Sequence, residues 1–181
     1  KYSIMEEQVL EGKLVSASKT VMTEMIMPND TNPMGNLMGG YLMRWMDIVA
    51  AICAAKHCES QVVTASVDNV SFQDPIKLGE VITLNATVTR AFTTSVEVFV
   101  EVMANRIDGS NPRKCNHAYL TFVAINQETL VPQPVPELKP ISSEETKHFE
   151  GAARRREIRL IQAGRMKPSE AMEVKSFFEV G

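Results

Sequence analysis

The sequence predicts an α+β fold in which an antiparallel sheet packs on a single long helix. Three observations carry this. Tyr41 to about Lys56 contains no Pro or Gly and is rich in Leu, Met and Ala, the composition of one helix of about four turns. Segments of two-residue alternation follow it, as half-buried strands require. The short Phe92-Thr93 connection between two of them suggests a hairpin.

The elements follow in order. From Lys19 to Met27, Thr and Val alternate with Met and Ile, a first strand. Pro28 to Asn36 collects Pro, Asn, Asp and Gly, which is loop chemistry. After the helix, Gln61–Phe72 is the next strand, its end marked by Asp74-Pro75. In 81–90, Ile82, Leu84, Ala86 and Val88 share one face and Thr83, Asn85, Thr87 and Thr89 the other. In 94–104, Val96, Val98, Val100 and Val102 lie opposite Glu97 and Glu101, and Phe92-Thr93 suggests a hairpin between the two strands. His117–Ile125 is the last strand. Pro132, Pro134, Pro136 and Pro140 then make an extended linker. A second helix starts near Ser142, where Ser142 and Glu145 fit a capping box, and ends near Gly164 or Pro168. The expected organisation is an N-terminal segment 1–17, a main domain 18–126, a linker 127–141 and a helical tail 142–181.

Composition narrows the function. A length of 181 residues suits one domain with an appendage. The net charge of −3 gives no reason to expect nucleic acid or an anionic membrane surface as partner. Ile48 to Ala55, the longest apolar run, is far too short to span a bilayer. The chain opens at Lys1 without an initiator Met, so a targeting peptide removed before it stays open as an expectation. Cys53, Cys58 and Cys115 form no disulfide framework, which favours a reducing, cytoplasmic location. Nothing has paired-ligand spacing, so no metal is expected.

The helix is the most informative segment. Between Tyr41 and Ala55 only Arg44 and Asp47 are charged, and apolar residues cover every face, predicting a helix enclosed on all sides. Asp47 either pairs with Arg44 at i,i+3 or is a functional carboxylate at a cleft. Gly35 to Gly40 leads into the helix, where Gly39 and Gly40 permit close approach and free N–H groups can bind an oxyanion. A tight turn is the plainer reading. Asn36 is either a cap or an amide donor. Cys53 and His57 share a helix face, but a buried cysteine is usually inert. His117 is expected to make an ordinary hydrogen bond. The arginines at 154–156 suit a solvated face or a phosphate.

Taken together, Asn32-Pro33-Met34-Gly35-Asn36-Leu37-Met38-Gly39-Gly40 and Leu42-Met43-Arg44-Trp45-Met46-Asp47 resemble the acyl-CoA hydrolase family of hotdog thioesterases. Val63-Thr64-Ala65-Ser66-Val67-Asp68, Val88 to Ser95 and Ala152-Ala153-Arg154-Arg155-Arg156 agree, in the right order. The resemblance implies a helix wrapped by a curved sheet, paired side by side with a second copy and assembled as a trimer of dimers. It implies hydrolysis of acyl-CoA to fatty acid and CoA at a site shared by two subunits. Asn36 would come from one chain and Asp47 from the helix of the other. Asp47 would activate water or attack the thioester itself, while Asn36, Gly39 and Gly40 orient the carbonyl. Ala65, Ser66, Val67, Thr94, Ser95 and Val96 would line the pantetheine tunnel, and Arg155 and Arg156 would meet CoA phosphates. No cofactor is implied beyond CoA as part of substrate and product. A dehydratase on the same fold would want a His beside the Asp, and a non-catalytic acyl-CoA sensor is the other alternative. Asn36 with Asp47 favours hydrolysis over both.

Overall fold

The computed structural model describes residues 11–68, 70, 72 and 74–179. It divides into two compact units, Lys1–Lys139 and Pro140–Gly181.

In the first unit β1 (Lys13–Leu14) and α1 (Val15–Ser18) precede β2 (Thr20–Met25) and the long helix α2 (Gly39–Cys58). Then come β3 (Gln61–Asp68), β4 (Val81–Ala91), β5 (Ser95–Asn105), β6 (Arg113–Ile125) and β7 (Leu138–Lys139). Five strands form one antiparallel sheet in the order β2-β4-β5-β6-β3. Its inner face is the alternating set read from the sequence. Ile82, Leu84, Ala86 and Val88 on β4 and Val96, Val98, Val100 and Val102 on β5 are buried with Leu120 and Phe122 of β6. Burying such side chains contributes about 1.5–3 kcal/mol each, so this face holds the helix in place.

Three features differ from the sequence expectation. The sheet covers only one side of α2, because an open sheet cannot close around a helix. Leu42, Trp45, Met46, Val49, Ala50 and Cys53 are buried, while Ile48 and Ala51 are half-buried and Ile52 is exposed. Strand β3 stops at Asp68 rather than Phe72. Glu97, expected on the outer polar face, is 0% exposed. A register shift between Val88 and Arg90 makes Thr89 an extra residue. The Thr89 hydroxyl donates to Glu97 Oε1 at 2.7 Å, so the buried carboxylate has a polar partner.

Part of the proline-rich segment packs within this unit. β7 pairs in parallel with β1, placing Leu138 beside Lys13. The short helix α1 buries Val15 and Ser18.

The second unit contains α3 (Ser143–Gln162) and α4 (Met172–Glu179). Its start is the capping box the sequence predicts. Ser142 Oγ accepts from Glu145 N at 3.1 Å, and Glu145 Oε2 accepts from Ser142 N at 3.0 Å. The end comes at Gly164, whose φ of 67° is the left-handed conformation a helix terminus needs. The Arg154 guanidinium lies 4.0 Å from the centre of the Phe177 ring, and Glu157 Oε2 accepts from Val174 N at 2.9 Å. These contacts hold α4 against α3.

Candidate active site

The loop between β2 and α2 is shaped by one asparagine. Asn32 Oδ1 accepts from Met34 N at 3.0 Å and from Asn36 N at 3.2 Å. The Asn32 backbone N–H donates to Asn36 O at 2.8 Å, and its carbonyl accepts from Gly35 N at 2.9 Å. Gly35 sits at φ 73°, where a side chain would be strained. With Oδ1 occupied by backbone donors, the orientation of the amide is fixed. Its Nδ2 is the end left to donate, and among the described residues it has no partner.

A second loop braces the first. Leu37 N donates to Ile76 O at 2.7 Å, and Leu78 N donates to Gly35 O at 2.9 Å. Glu80 Oε2 accepts from Lys77 N at 2.8 Å, and both Glu80 oxygens accept from the Arg113 guanidinium at 2.8 Å. Arg113 also donates to Pro75 O at 2.8 Å. The guanidinium holds the Glu80 carboxyl below the usual glutamate range. The forked pair on β6 therefore anchors the loop on which Gly35 to Leu37 rest.

Gly39 and Gly40 open α2, so their N–H groups lie in the turn that has no intrahelical acceptors. Asn36, Leu37, Gly39 and Leu42 line a cleft of about 380 Å³ that continues to Asn116 on β6. A side chain at Gly39 would meet the Phe72 ring at 3.0 Å, so glycine permits this approach.

Asp47 lies two turns further along α2. Its Oδ1 accepts from the Thr64 hydroxyl at 2.8 Å, and among the described residues no ion pair joins it to Arg44. The charge is satisfied across the helix–sheet contact instead of along the helix. Thr64 sits on β3, where the register shifts between Thr64 and Ser66 and Ala65 becomes a bulge. β3 is an edge strand, with Ala65 and Val67 exposed and Val63 52% exposed. Thr94 and Ser95 lie at the β4–β5 turn, and Thr94 O accepts from Ala124 N at 2.9 Å. The Val96 side chain is in the core. Arg155 donates to His148 O at 2.8 Å and Arg156 is exposed, both on α3 in the second unit.

The Cys53/His57 pair does not form a dyad. Burial pushes the Cys53 thiol up to about 11, its Sγ lies 3.5 Å from Ala86 O, and His57 Nε2 lies 2.9 Å from Pro136 O. His117, expected to make an ordinary hydrogen bond, has a buried Nδ1 with no partner among the described residues. Its ring packs 6.0 Å from that of Phe99.

Comparison with known proteins adds sequence and structural likeness. A profile of the thioesterase superfamily matches residues 34–108. The chain is 38% identical over 161 residues to the cytosolic acyl coenzyme A thioester hydrolase of Mus musculus, covering 87% of this chain and 42% of that one. It thus spans less than half the length of that relative. An uncharacterized acyl-CoA thioester hydrolase of Bacillus subtilis is 38% identical over 135 residues, covering 75% of this chain and 78% of the relative. The acyl-CoA hydrolase of Staphylococcus aureus, in complex with butyryl coenzyme A, coenzyme A and coenzyme A disulfide, superposes with a TM-score of 0.78. It is 35% identical, covering 93% of this chain and 97% of that one. An apo-hexameric acyl-CoA thioesterase superposes with a TM-score of 0.81 at 36% identity, covering 85% and 98%.

Structures of the Staphylococcus aureus enzyme also exist with an asparagine, an aspartate and a threonine each replaced by alanine. In that sequence the aspartate follows the asparagine by fifteen positions, and the threonine follows the aspartate by seventeen. Asn32, Asp47 and Thr64 keep both spacings. Sequence reasoning singles out neither Asn32 nor Thr64. The first is masked by Asn36 in the same loop, and the second becomes visible only when β3 crosses α2.

Proposed function

The chain belongs to the acyl-CoA hydrolase family of the thioesterase superfamily, and from that premise we propose that it hydrolyses acyl-CoA thioesters to a carboxylic acid and CoA. The hydrogen bond from Thr64 to Asp47 is the observation that carries this reading. It fixes the carboxylate and occupies Oδ1, leaving Oδ2 to take a proton from water. The water oxygen then bonds to the thioester carbon, and the negative charge develops on the carbonyl oxygen. The Asn32 Nδ2 and the N–H groups of Gly39 or Gly40 are the donors suited to that oxygen. Collapse breaks the C–S bond, and the proton held by Asp47 goes to the departing CoA thiolate.

The site forms between two copies of the chain. Asp47 lies eight residues beyond Gly39, the first residue of α2, about 12 Å along the helix at 1.5 Å per residue, so the loop before α2 and the carboxylate of the same chain are poorly placed to meet one thioester carbon. The loop of one subunit and the helix of its partner would supply the two halves. Support comes from the open edge of β3, from the partly bare side of α2 and from the hexameric relative. In this arrangement Asn36, Ala65, Ser66, Val67, Thr94 and Ser95 contact the substrate, and Arg155 and Arg156 contact CoA phosphates. Val96 supports that strand from the core. The relative named as cytosolic supports a cytoplasmic location, and no helix among the described residues is long and apolar enough to cross a membrane. The chemistry requires only CoA as part of the substrate.

Asp47→Asn tests the reading, with thiol release from acyl-CoA as the measurement. The variant should keep its fold and oligomeric state and lose about 10²-fold or more in kcat. Near-normal turnover would remove Asp47 from the mechanism. Binding of acyl-CoA without turnover by the wild-type protein would favour a sensor.

A further inference from the structure

The core-facing row of β6 runs Ala124, Phe122, Leu120 and Ala118, all buried, and its next member is Asn116. The register of β5 and β6 shifts between Val102 and Met103, which leaves Cys115 as an extra residue beside it. Asn116 is 1% exposed, and among the described residues neither its Oδ1 nor its Nδ2 has a hydrogen-bond partner. Buried amides are nearly always satisfied, so one with both ends open marks a place where something else binds. Asn116 lines the same cleft as Asn36, Gly39 and Leu42, whose remaining walls include Leu37 and Ile76. An apolar cleft thus starts at the turn suited to the thioester carbonyl and reaches a polar amide.

We propose that Asn116 recognises a neutral oxygen function, a hydroxyl or a ketone, on the acyl group of the substrate, so that oxygenated acyl chains are preferred over plain ones. This rests on the thioesterase reading above. Either group accepts from Nδ2, and a hydroxyl can instead donate to Oδ1. A carboxylate fits less well, because its charge would meet that of Asp74 on the cleft wall. A site built to bond an oxygen discriminates strongly against the analogue that lacks it, since the buried amide is then left unpaired.

The test compares acyl-CoAs of matched length, unsubstituted, hydroxylated and oxo-substituted at successive carbons, with the wild-type protein and Asn116→Leu. Both kcat/KM and equilibrium binding are measured, the latter also in Asp47→Asn. For the best-placed substituent the wild type should favour the oxygenated substrate by at least about tenfold. Asn116→Leu should abolish or reverse that ratio while still hydrolysing plain acyl-CoA. The hydroxyl and oxo series distinguish the two forms of the oxygen. Equal ratios in wild type and a folded, active Asn116→Leu would overturn the proposal and leave the hydrolase reading intact. If no thioester is cleaved, the hydrolase reading fails, and the binding ratio still decides the subsite. Should Asn116→Leu not fold, the wild-type ratio and that of Asn116→Thr decide it. No preference in either overturns the proposal.

Discussion

The two carboxylate oxygens of Asp47 have different surroundings, and that difference sets its chemistry. Oδ1 is held by Thr64, which in the proposed mechanism leaves Oδ2 to meet the incoming water. The amide of Asn32 is arranged likewise, with its oxygen bound to two backbone N–H groups and its nitrogen left to donate. Among the described residues, Asn36 has no comparable restraint on its side chain. Asn32→Ala should therefore lower kcat by about 10²–10³-fold, the scale of a lost oxyanion donor. Asn36→Ala should have a smaller effect, expressed mainly in KM. Steady-state thiol release on the two variants separates them, and the reverse order would return the donor role to Asn36.

At the scale of elements, the brace beneath the site has a pH signature. Arg113 lowers the Glu80 carboxyl in the folded state. A depressed carboxyl stabilises the fold above the unfolded value, here 4.5, and this contribution fades as pH falls through the folded value. Glu80→Gln should cost about 1–3 kcal/mol near neutral pH, and the difference from wild type should shrink on acidification below 4.5. Denaturant unfolding at several pH values measures it, and a difference independent of pH would assign the loss to packing. Helix α3 offers a separate test. Replacing Arg155 and Arg156 together by Ala should raise KM for acyl-CoA and leave kcat almost unchanged. Acyl-pantetheine, which lacks the nucleotide phosphates, should show a smaller penalty. An equal penalty with both substrates would point to a structural role for the helix.

For the whole molecule, the test is whether two incomplete subunits make a complete site. Asn32→Ala and Asp47→Asn proteins, each with little activity, should regain some when mixed under conditions that exchange subunits. A mixed dimer carries one site with both defects and one with neither, so about half the wild-type activity per mixed dimer is the ceiling. Mixed dimers that form, as seen by mass spectrometry of tagged subunits, and stay inactive would place both residues in one chain's site. The exposed edge of β3 and the bare side of α2 are where such a dimer would bury apolar surface.

The sequence by itself determined the long helix, the alternating strands that pack on it and the start of α3. Two-residue alternation places Ile82, Leu84, Ala86 and Val88 inside whatever the partner strands are, and the box of Ser142 and Glu145 starts α3 through contacts three residues apart. Asp47 stood out in the sequence as a lone carboxylate in an apolar helix, and its catalytic role is the proposal made above. What pairs with it was not legible, because Thr64 meets Asp47 only when β3 packs over α2, and local spacing suggested Arg44 instead. The buried states of Glu97 and Asn116 were likewise hidden. Both depend on where neighbouring strands slip by one residue, which is decided by the pairing of whole strands and leaves little mark on either strand alone.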